Sequence, residues 1–186
     1  VGAFRFTGKS KKELLWKAQL YFGQKSNKQY LPDLFNEEPE DYQLPHLQHH
    51  LFEDAYDEIE LLGFPLCDPF RLLQTQDLGN AYAEDLMPNL NKKVEMVGYL
   101  VTTKDTSTKD GKRMHFGTFY DQRGKVFDTV NFPPVAKRFP FRGRGFYRLT
   151  GKVVEDFGYP MIEVDWMDKL PMKDKYAQEP ITLKLN

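Results

Sequence analysis

The spacing of apolar residues along the chain changes from a helical to a strand-like period at about Lys92. Before that point, the first predicted helix covers residues 10–22. Ser10 and Glu13 form a capping-box signature, and an apolar stripe in LLWKAQLYF follows it. Gly23 is predicted to end this helix.

A second amphipathic helix is predicted over residues 54–62, where Asp54 opens it and Gly63 stops it. Residues 24–51 are rich in Pro, Asn, Asp, Glu and Gln, a composition typical of an irregular acidic connector. Residues 67–91 return to loop-like or weakly helical sequence. The first half of the chain is therefore helical and irregular.

After Lys92 the period-2 alternation predicts five strands, which cover residues 94–103, 113–121, 125–131, 146–155 and 160–167. A short basic helix, 133–139, separates the third strand from the fourth, and Asp156 to Gly158 turns the final hairpin. This order is that of an OB-fold. We predict an α+β chain: a five-stranded OB-fold β-barrel preceded by a helical and irregular N-terminal segment.

Alternation also predicts which side chains of the second and third strands point outward. A glycine suits the interior of a small barrel, so the predicted inward set on the second strand is His115, Gly117 and Phe119. The outward set is Met114, Phe116, Thr118 and Tyr120. On the third strand, Val126 and Val130 are predicted inward, and the predicted outward residues are Phe127, Thr129 and Asn131. Asp128 would then point inward, which suggests a bulge.

Charge is distributed unevenly along the chain, although the net charge is only -1. Residues 1–91 carry 8 Lys and Arg against 15 Asp and Glu, whereas residues 92–186 carry 18 against 12. The segment 104–152 is the most basic, with 12 basic and 4 acidic residues. Such a segment attracts polyanions, although a charge run can also be a simple solvated face.

Aromatic residues beside basic ones indicate a surface for single-stranded nucleic acid, because rings stack on unpaired bases and cations neutralise phosphates. Phe116 and Phe127 form the predicted exposed pair. The candidate nucleic-acid-binding residues are Lys104, Lys109, Lys112, Arg113, Phe116, Thr118, Arg123, Lys125, Phe127, Arg142, Arg144 and Arg148. The alternatives are that both rings pack under the preceding acidic segment, and that the arginines of FRGRGFYR form a plain basic turn.

Three stretches resemble, in order and spacing, the C-terminal region of the bacterial replicative DNA polymerase III alpha subunit. They are DAYDEIELLGFPL (54–66), VEMVGYLVTTKDTSTKDGKRMHFGTFYDQRGKVFDTVNFP (94–133) and YRLTGKVVEDFGYPMIEV (147–164). The start of the chain, from Gly2 to Phe22, is similar to the tail of that family's helix-hairpin-helix domain. His115 departs from the family, which usually has a small residue there.

The resemblance implies an OB-fold domain that contacts single-stranded template DNA, within a DNA-directed DNA polymerase, a nucleotidyltransferase, whose catalytic carboxylates lie outside this fragment. No cofactor is expected in the fragment. The predicted domains are a helix-hairpin-helix tail (1–23), an acidic connector with a candidate clamp-binding peptide (24–52), a helix and loop lead-in (53–91), the OB-fold (92–170) and a tail (171–186).

The family also implies a sliding-clamp-binding peptide between the hairpin domain and the OB-fold, with a Gln followed by a terminal Leu-Phe. The clamp-binding candidates here are Leu31, Asp33, Leu34 and Phe35. An apolar pair on an acidic connector is suited to an apolar pocket on a partner, and other replisome subunits are further candidate partners. Gln29 lies farther from Phe35 than the usual pentapeptide permits, and LPDLF could equally anchor the connector to its own domain.

Two rival functions remain on the sequence alone: an OB-fold that docks proteins without binding DNA itself, and a metal hydrolase centred on His46, His49 and His50. No cysteine accompanies those histidines, and no carboxylate pair stands out for acid-base chemistry. Cys67 has no partner for an internal disulfide, and no apolar run approaches the roughly 18 residues of a membrane span. We therefore expect a cytoplasmic protein without membrane contact, and, because it begins at Val1, a piece of a longer chain.

Overall fold

The computed structural model of the protein describes residues 3–25 and 50–176. The chain divides into two compact units, one formed by Val1–Phe64 with Lys175–Asn186 and the other by Pro65–Asp174.

The first unit holds a 3-10 turn, Arg5–Thr7, and helix α1, Lys11–Lys25. The predicted capping box is present: the Glu13 N–H donates to Ser10 Oγ over 3.2 Å, and the Ser10 N–H donates to the Glu13 carboxylate over 2.7 Å. The prediction that Gly23 ends the helix is wrong. One glycine costs a helix only about 1 kcal/mol relative to alanine, so it does not by itself terminate one.

Helix α2, Glu53–Leu62, completes the first unit and confirms the second predicted helix. It ends at Gly63, whose left-handed φ of 84° lets its N–H donate to the Ile59 carbonyl over 2.9 Å. An ion pair between Lys12 and Glu53, 3.0 Å long, joins the two helices.

The second unit is a closed barrel with the strand order β1-β2-β3-β5-β4, in which β3 and β5 are parallel and all other pairs are antiparallel. Helix α3, Pro133–Arg138, lies between β3 and β4. The strands are β1 Lys93–Ser107, β2 Arg113–Tyr120, β3 Val126–Asn131, β4 Gly145–Asp156 and β5 Tyr159–Leu170. All five predicted strands and the intervening helix are confirmed.

Two stacked aromatic rings fill the centre of the barrel. The Phe119 and Phe127 ring centroids are 5.3 Å apart, with 13° between their planes. Two glycines make room for these rings: a Cβ at Gly98 would lie 2.7 Å from Phe127 Cζ, and a Cβ at Gly117 would lie 2.8 Å from Phe119 Cε2. No larger residue fits at either glycine without a shift of the aromatic core.

The predicted orientation of β2 is confirmed, because His115, Gly117 and Phe119 are all buried. The predicted orientation of β3 is wrong. Phe127 is only 3% exposed, whereas Val126 is 54% exposed.

The tight turn between β2 and β3 explains this reversal. The Asp121 N–H donates to the Lys125 carbonyl, so Tyr120 pairs with Val126 across the hairpin. Directly opposed residues share a face of the sheet, and Tyr120 points outward. Val126 must therefore point outward as well, and its neighbour Phe127 must point inward.

The next residues of β3 continue this alternation, which begins with the outward Val126 and the inward Phe127. Thr129 and Asn131 are fully buried rather than outward, and Asp128 is exposed rather than inward. Val130 is buried, as predicted, although it pairs with the outward Phe116. The pairing with β2 runs without a register shift, so no bulge is needed to accommodate Asp128.

Residues 65–91 of the lead-in belong to the barrel's own unit, whereas residues 53–64 belong to the first unit. Leu72 lies in a 3-10 turn and Leu86 lies between two such turns, and both side chains are buried. The Val97 N–H donates to the Leu78 carbonyl over 3.2 Å, and the Asn80 N–H donates to the Glu95 carbonyl over 2.9 Å. These bonds satisfy backbone groups at the start of β1 that would otherwise form an open sheet edge.

Candidate nucleic-acid interface

The register of the barrel brings the outward residues of β2, β3 and the first half of β5 onto one surface. Thr118 pairs with Asp128, which in turn pairs with Met161. We call this surface the sheet face; its residues are Phe116, Thr118, Tyr120, Val126, Asp128, Tyr159 and Met161. The Thr118 hydroxyl donates to the Asp128 carboxylate over 2.6 Å, which fixes the centre of the face.

Aromatic side chains are exposed on the sheet face and at its rim. Tyr120 is 40% exposed and Tyr159 is 76% exposed, while Phe116 is half-buried. Beside Tyr159, at the tip of the β4–β5 hairpin, the Phe157 ring is 96% exposed. These rings offer flat apolar surfaces to solvent.

The hairpin tip holds Phe157 in an unusual backbone conformation. Phe157 has a φ of 49° and Gly158 a φ of 85°, so both residues of the predicted two-residue turn are left-handed. Hairpins of this type prefer Asn, Asp or Gly at the first position, because a bulky side chain is disfavoured there. A phenylalanine that is both conformationally disfavoured and almost fully exposed contributes little to folding.

Phe127 is not part of this surface, contrary to the sequence prediction. Its ring stacks on Phe119 inside the barrel and cannot contact a ligand. Of the predicted aromatic pair, only Phe116 lies on the sheet face.

Three predicted cations surround the β1–β2 hairpin without an ion-pair partner in the described part of the chain. Lys104 is exposed and pairs in register with Phe116, so it lies at the border of the sheet face. Lys109 and Lys112 are exposed at the hairpin tip, which the Thr108 N–H closes by donating to the Lys112 carbonyl over 2.8 Å.

Arg113 is instead paired within the β1–β2 hairpin. Its guanidinium contacts Asp105, whose other oxygen lies 2.5 Å from Nδ1 of the buried His115. Hydrogen bonds from Arg113 and then from His115 hold the pKa of the Asp105 carboxyl below its usual range. The positive charge of Arg113 is thus partly neutralised.

The two predicted cations of the β2–β3 turn contact the lead-in. Arg123 lies 3.9 Å from the centre of the Tyr82 ring and 3.4 Å from the Glu84 carboxylate, and Lys125 lies 3.6 Å from the same carboxylate. The carboxylate of the buried Asp121 accepts hydrogen bonds from the backbone N–H groups of Arg123 and Lys125 in the turn. Both cations therefore help to hold the turn against the preceding segment.

Arg148 holds the lead-in to the barrel. Its guanidinium lies 2.7 Å from both the Asp77 and Glu95 carboxylates and also donates to the Asp77 carbonyl over 2.9 Å. Hydrogen bonding to Asp77 raises the pKa of Arg148 and lowers the pKa of the Asp77 carboxyl. Arg148 therefore has a structural role and does not lie on the sheet face.

Arg142 and Arg144 are exposed in the loop before β4. Tyr147 organises this loop, because its hydroxyl accepts from the Arg142 N–H over 2.8 Å and donates to the Gly143 carbonyl over 2.6 Å. Burial raises the pKa of the Tyr147 hydroxyl. The loop is thus anchored, and it lies apart from the sheet face.

Several predicted residues lie outside the described part of the chain. They include the clamp-binding candidates Leu31, Asp33, Leu34 and Phe35, and also Gln29, His46 and His49. Within residues 3–25 and 50–176, no three His, Cys, Asp or Glu side chains are grouped so that they could hold a metal ion. None of the described helices is both long and apolar enough to cross a membrane.

Sequence reasoning missed the aromatic residues that are most exposed around the sheet face: Tyr120, Phe157 and Tyr159. Alternation predicts that Tyr120 points outward, but Tyr120 is not among the predicted binding residues. The Asp-Phe-Gly turn was recognised, and the length of that turn already implies that its phenylalanine lies at an exposed tip.

No protein-family model matches the chain, and no curated protein matches it. Among solved structures, the second OB-fold domain of replication protein A from Methanococcus maripaludis is similar over 43% of this chain and 85% of that one, with 19% identity and a TM-score of 0.33. Single-stranded DNA binding protein from Thermus aquaticus is similar over 47% of this chain and 43% of that one, with 14% identity and a TM-score of 0.40. PriB from Ralstonia solanacearum is similar over 41% and 95%, with 9% identity and a TM-score of 0.36.

The chain spans less than half the length of the Thermus protein and most of the length of the other two. The fold assignment rests on the barrel itself. Five strands close in the order β1-β2-β3-β5-β4, with a helix between β3 and β4. The described barrel is therefore an OB-fold.

Proposed function

We propose that the barrel binds single-stranded nucleic acid, preferentially DNA, across the sheet face. The observation that carries this proposal is Phe157, a 96% exposed aromatic residue in a left-handed turn position beside the exposed Tyr159. A phenylalanine at this position strains the backbone and exposes apolar surface to water. A partner that stacks on the ring best explains why a phenylalanine is found there.

The chemistry of the sheet face fits a single strand better than a duplex. Phe116, Tyr120 and Tyr159 offer rings to unstacked bases, which the stacked interior of a duplex does not present. Lys104, Lys109 and Lys112 supply positive charge beside those rings for the phosphates. Stacking with phosphate neutralisation gives affinity that tolerates sequence and falls with salt.

The motif resemblance supports a finer proposal. The chain is the non-catalytic C-terminal part of a cytoplasmic replicative DNA polymerase III alpha subunit, and its OB-fold holds the single-stranded template for a nucleotidyltransferase centre elsewhere in the polymerase. A sliding-clamp contact through Leu34 and Phe35 belongs to the same proposal. Mass spectrometry of cross-linked complexes with a bacterial sliding clamp, using the full chain and a Leu34→Ala, Phe35→Ala variant, tests that contact.

The DNA proposal is tested by fluorescence anisotropy of a labelled oligothymidylate at low and moderate salt. The decisive variant is Phe157→Asn, because Asn tolerates the left-handed position and removes only the ring. We expect affinity to fall roughly 5- to 100-fold, the loss of one base–aromatic stack. The matched control is Phe6→Asn, which removes another exposed ring, and it should leave affinity unchanged.

A second candidate is a protein-docking OB-fold that does not bind DNA by itself. It is favoured by the carboxylate contacts of Arg113, Arg123 and Arg148, which reduce the positive charge available for phosphate. Wild-type protein that binds no oligothymidylate even at low salt would favour this candidate and contradict the DNA proposal.

A further inference from the structure

A second aromatic and basic site lies on the barrel away from the sheet face. It is a cavity of about 320 Å³ between the loop that follows α3 and the second half of β5. Trp166 and Phe139 supply its aromatic walls, and Arg138, Arg142 and Lys169 supply its cations. Trp166 is five residues beyond Met161 along β5, and none of the residues that line the cavity belongs to the sheet face.

A β-bulge places Trp166 on the outside of the barrel. Thr150 pairs with Trp166 while Gly151 pairs with Val164, so Asp165 is an extra residue in β5. Val164 and Met167 are buried on either side of the bulge. Strict alternation from Val164 would turn Trp166 into the core, whereas the bulge lets Asp165 and Trp166 both face outward.

The bulge therefore exposes a tryptophan that strict alternation would have buried. Trp166 is 39% exposed, and its ring packs edge-on against Phe139 at a centroid distance of 6.3 Å. Bulges often re-aim a side chain towards a functional site, and an indole is a strong stacking platform for a planar ring. The remaining exposed face of Trp166 opens into the cavity.

Two of the cations around Trp166, Lys169 and Arg138, have side-chain contacts, and the backbone of the third, Arg142, is anchored. Lys169 Nζ donates to the Arg142 carbonyl over 2.8 Å, and the Arg142 N–H donates to the buried Tyr147 hydroxyl. The Arg138 guanidinium carbon lies 5.2 Å from the centre of the Phe139 ring. Within the described residues, neither Arg138 nor Arg142 forms an ion pair with a carboxylate, and Asp168 is the only acidic residue that lines the cavity.

We propose that this cavity binds one nucleotide of a single-stranded nucleic acid, with the base against Trp166 and the phosphate between Arg138 and Arg142. A planar ring beside two unpaired guanidiniums matches a nucleotide, because guanidinium groups bind phosphate through paired hydrogen bonds. The volume suits one such unit, being at the small end of ligand pockets. The site takes the same class of ligand as the sheet face, yet its residues are entirely different.

The chain offers a direct optical test. It has two tryptophans, and Trp16 lies 53% exposed on α1, so Trp16→Phe leaves Trp166 as the sole indole reporter. We expect oligothymidylates to quench Trp166 fluorescence with saturation, and thymidine monophosphate to do so at much higher concentration. In this background, Arg138→Gln with Arg142→Gln should raise the dissociation constant measured by quenching at least about tenfold. The slope of log affinity against log salt concentration should fall by the equivalent of roughly one to two phosphate contacts.

The sheet-face variant Phe157→Asn separates this site from the proposed function. A strand of about 4 nucleotides and one of about 16 span the usual range of OB-fold site sizes. If both sites bind, the strand of about 16 nucleotides should bind more tightly than the strand of about 4, and the arginine substitutions should reduce this difference. Phe157→Asn should weaken binding of both strands. Quenching that survives Phe157→Asn supports the Trp166 site even if the sheet face fails to bind.

Three results would overturn the proposal. Oligothymidylate that binds by anisotropy without changing Trp166 fluorescence would place the strand elsewhere. Quenching that is unaffected by the two arginine substitutions would remove the phosphate contact on which the proposal depends. Saturable quenching by an acidic, aromatic peptide but not by oligothymidylate would assign the cavity to a protein partner instead.

Discussion

At the scale of single residues, neighbouring aromatic side chains of the barrel have opposite roles. Phe116 is half-buried on the sheet face, whereas Phe127 is stacked against Phe119 in the core. The difference follows from strand register and not from residue type. It determines which substitution probes binding and which one only probes stability.

We predict that Phe127→Ala lowers the free energy of unfolding by about 3–5 kcal/mol, the usual cost of removing a buried phenylalanine ring. Phe116→Ala should cost clearly less, because that ring is already partly solvated. Urea denaturation that compares midpoints at unchanged m-value measures both. Equal losses for the two variants would contradict the assignment of Phe127 to the core.

The ion pair between Arg148 and Asp77 predicts a specific pH dependence. Hydrogen bonding by Arg148 lowers the Asp77 pKa from 3.8, so the stabilisation is fully present above the unfolded pKa and is lost as the pH falls through the folded pKa. Arg148→Gln should therefore destabilise the protein at neutral pH, and the difference from wild type should shrink below about pH 4.

NMR titration of the Asp77 carboxyl checks the cause directly, and its pKa should rise in Arg148→Gln. The control is Arg144→Gln, an exposed arginine in the loop before β4 that does not contact Asp77. A difference in stability between Arg148→Gln and wild type that grows on acidification would contradict the predicted sign.

At the scale of secondary-structure elements, the tip of the β4–β5 hairpin holds a residue type that is unfavourable for its backbone conformation. Phe157 occupies a left-handed position that Asn adopts more easily. We predict that Phe157→Asn raises the free energy of unfolding by a few tenths to about 1 kcal/mol while it weakens DNA binding. Thermal unfolding measured beside the anisotropy titration tests both effects. A variant that loses stability together with binding would indicate a structural role for the ring.

The closure of the barrel depends on a fit between β1 and β3. A Cβ at Gly98 would lie 2.7 Å from Phe127 Cζ. We predict that Gly98→Ala costs about 1–3 kcal/mol, the usual cost of overpacking a core. The cost should fall in a Phe127→Leu background, because leucine lacks the ring atom in closest contact. A double-mutant cycle measures this coupling, and strictly additive losses would contradict it.

At the scale of the whole molecule, the barrel and residues 65–91 of the lead-in belong to one compact unit. The lead-in buries Leu72 and Leu86, and Asp77 pairs with Arg148 on β4. We predict that a chain of residues 65–174 folds cooperatively, whereas residues 92–174 unfold at a lower temperature. Circular dichroism melts of the two chains compare them. Equal melting temperatures would mean that the lead-in adds no stability to the barrel.

The elements and their order follow from local patterns in the sequence. Period-2 alternation identified all five strands, and the capping box and Gly63 located helix ends, because these signals depend on residues adjacent in the chain. The inward face of β2 was also predictable, since Gly117 marked the crowded side. The exposure of Trp166 was not, because one extra residue, Asp165, reverses the alternation only when β5 pairs with β4.

Local sequence patterns do not show which cations lack a carboxylate partner or which aromatic residues are exposed; both depend on the folded barrel. In the sequence, Arg123 and Arg148 are cations near the predicted binding strands, as Lys104 is. In the structure, Arg123 pairs with Glu84 and Arg148 pairs with Asp77, both distant in the sequence. Hairpin register placed Phe127 inside and the bulge placed Trp166 outside. The charge pairs join residues far apart in the sequence, which the folded barrel brings together. Strand register depends on how neighbouring strands pair, and the alternation within a single strand does not show this.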